Sequence, residues 1–428
     1  METRLLWRRS ATALGLYGGF GLGLLASVLA ARQLSPGQLG ALTLAVFGAN
    51  LVQTLFDLTV EESMIKYGFR YTTTERWGRL RQLYRRTMIL KTFGAVLAGI
   101  VLAILAPFAN DIFGTHGLTV PFLLAALLPV TYIPEAPAGA ALVLTGRYDV
   151  RARYSFLTAL LRAIGLIVGS HYGVTEAVLG LVVGQIAGSI AVGHAAITVF
   201  RNFPAAAPEP LGEDRAEIIR FVIKSSIGSG IVSLRAYVGA ILLGTVSNVN
   251  QVGYFRVGQA PQTGLTGATA PARLILITEQ TRDWEEGNKA RVFAGLRRFS
   301  LWALGLMAVT VPVFWWLMPT LIRIVFLAKY EPATDAARLI LLAGAIAFVF
   351  AWTKSLPVSV GKPGFRIVTE TAQTVVMIPL VLWFGWKWGA TGAAAGVLIS
   401  SGVFAVTWLV ILVRLHREHM SPREVAAS

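Results

Sequence analysis

The side chains able to do chemistry in this 428-residue chain are few, and the most telling of them sit where charge is expensive. Arg162, Lys224, Arg235, Arg256, Arg273 and Lys354, with Asp57, Glu135 and Glu370, all fall in stretches otherwise apolar enough for hydrocarbon. An isolated cation at bilayer depth costs roughly 2.5 to 3.5 kcal/mol on insertion scales, so such a residue normally faces a protein interior or a wet cavity. Depth separates them. Lys224, Arg256 and Arg273 lie within a turn or two of a helix end and can snorkel to the interface. Arg162 and Lys354 lie about two turns in, and Arg235, in "SSIGSGIVSLRAYVGAILLGTV", is the deepest. Lys224 and Arg235 are about three turns apart and return to within ~20° of one helix face, giving a cationic stripe that must line an interior. The chemistry on offer is neutralisation of an anion in a watery cavity, with Arg235, Lys224, Arg162 and Lys354 as candidate ligands.

Glu135 sits in "LLPVTYIPEAPAGAALVL", where Pro129, Pro134 and Pro137 must break the helical hydrogen-bond ladder. A broken helix beside an intramembrane acid suits a binding or ion-coupling site, because freed backbone groups need a wet or protein-lined surrounding. The plainer reading is a kink whose acid pairs with an arginine. Both stay open, with Glu135 as a coupling or structural acid.

Catalysis finds no constellation. There is no cysteine, and the five histidines are scattered: His116 and His171 in short loops, His194 in an apolar run, His416 and His419 in a basic tail. That is no metal-ligand spacing. No phosphate-loop glycines, magnesium-binding aspartate cluster or histidine with an acidic neighbour on one helix face is present. The expectation is a chain that is not an enzyme, with no metal site and no cofactor.

The elements that must position these charges are membrane helices. Hydrophobic residues make up 55% of the chain and charged ones 14%, against about a quarter charged in soluble proteins. About twelve apolar runs of spanning length follow one another, near 10–31, 39–60, 88–109, 119–145, 154–171, 176–199, 221–245, 254–278, 299–322, 338–361, 367–385 and 389–413. The net charge of +16 resolves into Lys and Arg concentrated in alternate loops. The positive-inside rule then places both termini in the cytoplasm of a plasma-membrane protein, with no nucleic-acid partner needed.

The halves echo each other at a near-constant offset. Gln38 and Gly40 match Gln251 and Gly253; Arg85-Arg86 match Arg297-Arg298; "GRYDVR" (146–151) matches "GKPGFR" (361–366); Gly173 and Gly180 match Gly389 and Gly396. The expected fold class is all-α and polytopic, with about twelve transmembrane helices in two six-helix lobes related by a pseudo-two-fold axis along the membrane normal. The expected divisions are an amino-terminal lobe 1–203, a Pro/Ala-rich cytoplasmic linker 204–218 acting as a flexible hinge, a second lobe 219–413 and a basic tail 414–428. The first run imitates a signal peptide, but its partner, the seventh, follows a cytoplasmic linker, so cleavage is not expected.

The basic connection "KYGFRYTTTERWGRLRQLYRRT" reads either as an amphipathic helix on anionic membrane lipids or as a topology-fixing loop. Trp315-Trp316, Trp386 and Trp388 fall near outer helix ends and read as an interfacial belt.

Three phrases carry a family resemblance: "ARQLSPGQLGALTLA" (31–45), "VGYFRVGQA" (252–260) and "GATGAAAGVLIS" (389–400). In order and spacing the chain resembles, up to residue 413, the Wzx-like polysaccharide and oligosaccharide-lipid flippases of the multidrug/oligosaccharidyl-lipid/polysaccharide exporter superfamily. The resemblance implies alternating access and movement of a polyprenyl-diphosphate-linked glycan from the cytoplasmic to the outer leaflet through a cationic central cavity. It also implies polysaccharide polymerases or glycosyltransferases as partners in cell-envelope biosynthesis. Arginine suits such a diphosphate, offering forked, always-charged donors to phosphate oxygens. No motif assigns binding residues by position. Two competing expectations are a cation-coupled multidrug exporter of the same superfamily, which calls for an acidic cavity, and a membrane glycan polymerase or ligase, which calls for a long outer loop.

Overall fold

In hydrocarbon every backbone N–H must be satisfied within the segment, so the apolar runs can span only as helices. The computed structural model describes residues 2–56, 60–267, 280, 282–284, 286–362 and 364–419, and these form helices joined by turns. Among them nine helices are long and apolar enough to cross a membrane. The chain is a multi-pass, all-α membrane protein. Asp57 and Arg273 lie outside the described residues, as do residues 420–428 of the basic tail. Two compact units are distinguished, residues 1–237 and 238–428.

The first unit contains α1 (Glu2–Gln33), α2 (Pro36–Phe56), α3 (Val60–Thr73), α4 (Trp77–Leu105), α5 (Ala109–Phe113), α6 (Thr119–Ala125), α7 (Leu128–Thr131), α8 (Glu135–Leu144), α9 (Tyr148–Ser170) and α10 (Val174–Phe200). It also contains most of α11 (Asp214–Val246), through Tyr237. The fourth apolar run is divided into α6, α7 and α8, as its prolines require. Pro129, Pro134 and Pro137 cannot donate to the carbonyls four residues back; Pro129 sits in the first turn of α7, Pro134 caps α8 and Pro137 lies in the first turn of α8. Glu135 thereby becomes the first residue of α8, where the positive end of the helix dipole favours a carboxylate.

The longest packing seam joins α9 to α10, with α1 laid along α9. Small residues let the two backbones touch. A Cβ on Gly165 would collide with the Gly180 carbonyl, one on Gly180 with the Gly165 carbonyl, and one on Gly184 with the backbone at Leu161. Lipid tails are as apolar as leucine, so close van der Waals contact of this kind is what holds such helices together.

The basic connection is helical, but α3 does not lie bare against lipid. Val60, Met64, Tyr67 and Tyr71, spaced along one face, are fully buried against Leu80, Leu83, Leu142, Leu211 and Val222. At its far end Arg70 donates to Glu217 at 3.0 Å, Tyr71 to Asp214 at 2.9 Å and Tyr67 to Glu217 at 3.1 Å. Arg79 of α4 reaches Asp214 at 3.2 Å. Burial and the Glu217 carboxylate push the Tyr67 hydroxyl up to about 12, so it remains a donor at any physiological pH.

The segment expected as a flexible hinge is strapped down. Glu209 N donates to the Gly78 carbonyl at 3.1 Å, Arg81 to the Pro204 carbonyl at 3.2 Å, and Leu211 is buried in the α3–α4 cluster. Composition suggested freedom, but a missing side chain at Gly78 opens a slot: a Cβ there would meet the Ala207 carbonyl at 2.7 Å.

The second unit contains the last turns of α11, α12 (Val249–Gly258), α13 (Lys289–Phe326), α14 (Thr334–Val349), α15 (Leu356–Ser359) and α16 (Gly364–His419), with short 3-10 turns at Ala328–Ala333 and Ala351–Lys354. The eleventh and twelfth apolar runs are merged in α16 and separated by a kink at Gly389, where φ is +58°. A side chain there would be strained by that φ and would strike Gln251, whose Oε1 accepts from Ala390 N at 2.8 Å. Gln251 is also the third residue of α12, capped by Asn248 at 3.1 Å. At the matching position of the first unit, Ser35 and Gln38 cap α2 reciprocally at 2.9 and 3.2 Å. The core of the unit gathers Val292, Phe293, Leu296, Trp352, Phe404 and Trp408, with the Trp352 indole donating to Ser300 at 3.0 Å. Trp316, Trp386 and Trp388 are exposed.

Candidate functional site

On α9, Arg151, Ser155, Thr158 and Arg162 recur at helical spacing and share one face. That face borders a polar cavity of about 400 Å³ inside the first unit. Gln53 of α2, Glu61 of α3, Lys91 of α4, and Glu135 and Gly139 of α8 also line it, with Tyr132 from the turn before α8. Each element arrives for a stated reason. The proline break delivers Tyr132 and Glu135, the glycine seam sets α9 against α10, and the buried face of α3 presents Glu61.

The charges are partly paired. Arg151 donates to Glu61 at 2.5 Å. The pair lies against Gly139, where a Cβ would come within 2.9 Å of the Glu61 carboxylate. Glu135 accepts from Gln185 at 2.6 Å, and Gln185, itself fully buried on α10, also donates to Ser189 at 2.9 Å. The Arg162 guanidinium stands over the Tyr132 ring, 5.6 Å from its centroid. Lys91 is buried, with 8% of its surface exposed. Three cations against two carboxylates leave the cavity net positive. In a medium of low dielectric, such an excess is a strong attraction for an anion.

Of the residues singled out from sequence, Arg162 and Glu135 meet in this cavity. Glu135 is held by an amide and not, as the plainer reading had it, by an arginine. Arg235 is partly buried on α11, two residues before Tyr237. The Tyr237 ring packs edge-on against Phe47 of α2, centroids 5.2 Å apart. Lys224 is exposed on α11, and neither it nor Arg235 is among the residues lining the cavity. Lys354 is exposed at the end of a 3-10 turn in the second unit. Glu61, Lys91 and Arg151 were missed. Arg151 had a signal: it stands three turns from Arg162 on one helix, the same spacing that flagged Lys224 and Arg235.

Burial raises the Glu61 carboxyl above the ordinary glutamate range, and Arg151 and Lys91 pull it back only in part. The folded protein therefore binds this proton more tightly than the unfolded chain does. The stability Glu61 contributes is greatest when it is protonated and is lost as pH rises from the ordinary value of 4.5 through the raised one. Melting curves across mildly acidic pH should show the wild-type protein losing stability relative to Glu61→Gln as pH increases. Parallel curves for the two would remove the buried acid from the description.

Three comparisons bear on what such a cavity belongs to. The family profile described as "Polysaccharide biosynthesis protein" matches residues 8–273, more than half the chain. The chain belongs to that family. No curated protein sequence matches it. Among solved structures it is similar to the lipid II flippase MurJ in an inward closed conformation, with a TM-score of 0.73 and 12% identity over 96% of this chain and 94% of that one. It is also similar to an inward-facing multidrug-resistance MATE-family transporter of the MOP superfamily, with a TM-score of 0.64 and 14% identity over 93% and 96% of the two chains. A MOP-superfamily transporter from Pyrococcus furiosus aligns with a TM-score of 0.56 and 15% identity over 97% of both chains. The chain shares the fold of these solved MOP-superfamily transporters.

Proposed function

We propose that this family member is a flippase that moves a polyprenyl-diphosphate-linked oligosaccharide, a polysaccharide precursor, from the cytoplasmic to the outer leaflet of the plasma membrane. The observation that carries the reading is the net-positive cavity of Lys91, Arg151 and Arg162 embedded in an apolar bundle. A diphosphate bearing about two negative charges is the anion that such a family handles, and arginine forks bind phosphate oxygens in pairs. A cavity of about 400 Å³ has room for a diphosphate and the first sugar, so the rest of the glycan must extend beyond it.

In this reading both termini are cytoplasmic and twelve spans form two six-helix lobes of one orientation, with access alternating between the two sides. The matched caps at Ser35–Gln38 and Asn248–Gln251 support the duplication. Arg162, Lys91 and Arg151 neutralise the diphosphate. Arg235, and more weakly Lys224 and Lys354, are assigned to later contacts along the route. Glu135 and Glu61 take up a proton or cation as the anion leaves. Polymerases or glycosyltransferases supply and consume the cargo.

The multidrug reading calls for carboxylates in excess, whereas here cations outnumber them. Proteoliposomes holding the purified protein and a fluorescent polyprenyl-diphosphate glycan decide between the two. Protein-dependent loss of protection from an impermeant quencher is expected. Drug-cation export with no movement of the glycan would overturn the proposal.

A further inference from the structure

A second groove of about 830 Å³, distinct from the charged cavity, runs down the outside of the first unit between α4, α8 and α10. Its floor is mostly apolar, formed by Met88, Pro134, Pro137, Ala141, Ile190 and Ile197, with Ser189 and His194 the polar exceptions. Ile190 and Ile197 are 67% and 56% exposed, so the groove opens on the surface of an apolar bundle, where the neighbour is the bilayer. One end changes character. Arg81, Arg85 and Arg201 gather there beside Tyr84, under a lip formed by Ala206 and Pro208 of the strapped linker.

Near that end Arg81 Nε is buried without a hydrogen-bond partner. A buried donor left unmade costs as much as a lost hydrogen bond, so a guanidinium held at the end of a groove calls for an acceptor. Arg81 is otherwise held in place, donating to the Pro204 carbonyl and stacking over Phe200 at 5.7 Å. The guanidinium is therefore fixed in place at the end of the groove.

We propose that this groove holds one anionic glycerophospholipid of the bilayer, its phosphate on Arg81, Arg85 and Arg201 and one acyl chain along the apolar floor. Charge complementarity selects an anionic head, and the length of apolar floor selects a lipid over a soluble phosphate. The arginines lie at the cytoplasmic ends of α4 and α10 in the proposed orientation, so the lipid comes from the inner leaflet. The leaflet alone rests on the flippase topology. The bound lipid would staple the linker to α4 and α10, because Arg81 touches both the linker and the head group.

The test titrates the purified full-length protein in detergent with phosphatidylglycerol and phosphatidylcholine of identical acyl chains, counting bound lipid by native mass spectrometry. One phosphatidylglycerol should bind with at least about tenfold preference, the worth of two or more charge-assisted contacts. Arg85→Gln with Arg201→Gln, both at exposed positions, should reduce the preference to within about twofold. Gly193→Leu, whose Cβ meets Pro134 at an ordinary 3.5 Å, fills the groove without altering charge and should displace both lipids. Equal binding of the two lipids by the wild type, or a preference that survives the double arginine change, would overturn the proposal. Stoichiometric retention of a polyprenyl phosphate in place of the glycerophospholipid would overturn the choice of occupant. Transport is not read in this experiment, so its outcome is independent of the flippase reading.

Discussion

Arg162→Ala should lower glycan translocation roughly 10- to 100-fold, the loss of one charge-assisted contact worth about 1.5 to 3 kcal/mol, while the protein stays folded. Arg162 projects into the cavity from α9 and rests over Tyr132. Replacing it removes a partly buried cation–π contact worth about 1 to 2 kcal/mol, too little by itself to unfold a bundle. Arg151→Ala should behave differently, because it strands the Glu61 carboxylate and so costs stability as well as transport. Proteoliposome flux and thermal melting measured on both variants separate the two cases. Unchanged flux in Arg162→Ala at wild-type protein levels would take the cavity out of the transport route.

Gly165→Ala should destabilise the protein by about 3 kcal/mol or more, at the upper end for overpacking, because the intruding methyl meets backbone and not a side chain that can swing aside. Prising α9 from α10 also moves Thr158 and Arg162 away from Gln185 and Ser189, so transport should fall with stability. Gly305→Ala on α13 is the matched control, since a Cβ there meets nothing within 4 Å. It should be neutral or stabilising, as helix propensity favours alanine over glycine by about 1 kcal/mol. Comparable melting temperatures for the two variants would contradict the seam.

Much of this was legible in the chain and some was not, for physical reasons. Length and hydropathy suffice for spanning helices because the bilayer permits little else. Prolines at 129, 134 and 137 announce the break that sets Glu135, since a missing N–H acts locally. Arg162 stood out by depth alone. Glu61 did not, because it lies in what reads as a loop, and its burial comes from α3 packing on α8, a contact that local sequence cannot disclose. Lys91 lies only three residues past 88, where the sequence places the start of a span. Yet α4 begins at Trp77, which carries Lys91 well into the helix. The linker misled through composition: proline and alanine signal freedom, but the slot at Gly78 that captures Glu209 is a property of tertiary structure.

The most direct measurement is equilibrium binding of a short-chain polyprenyl diphosphate, and of the same prenol without phosphate, to the purified protein and to a Lys91→Gln, Arg162→Gln double variant. The expected result is at least about tenfold tighter binding of the diphosphate by the wild type, with the difference erased in the variant. Equal affinity for diphosphate and bare prenol, or an undiminished difference in the variant, would show that the cations of the first unit do not hold the head group.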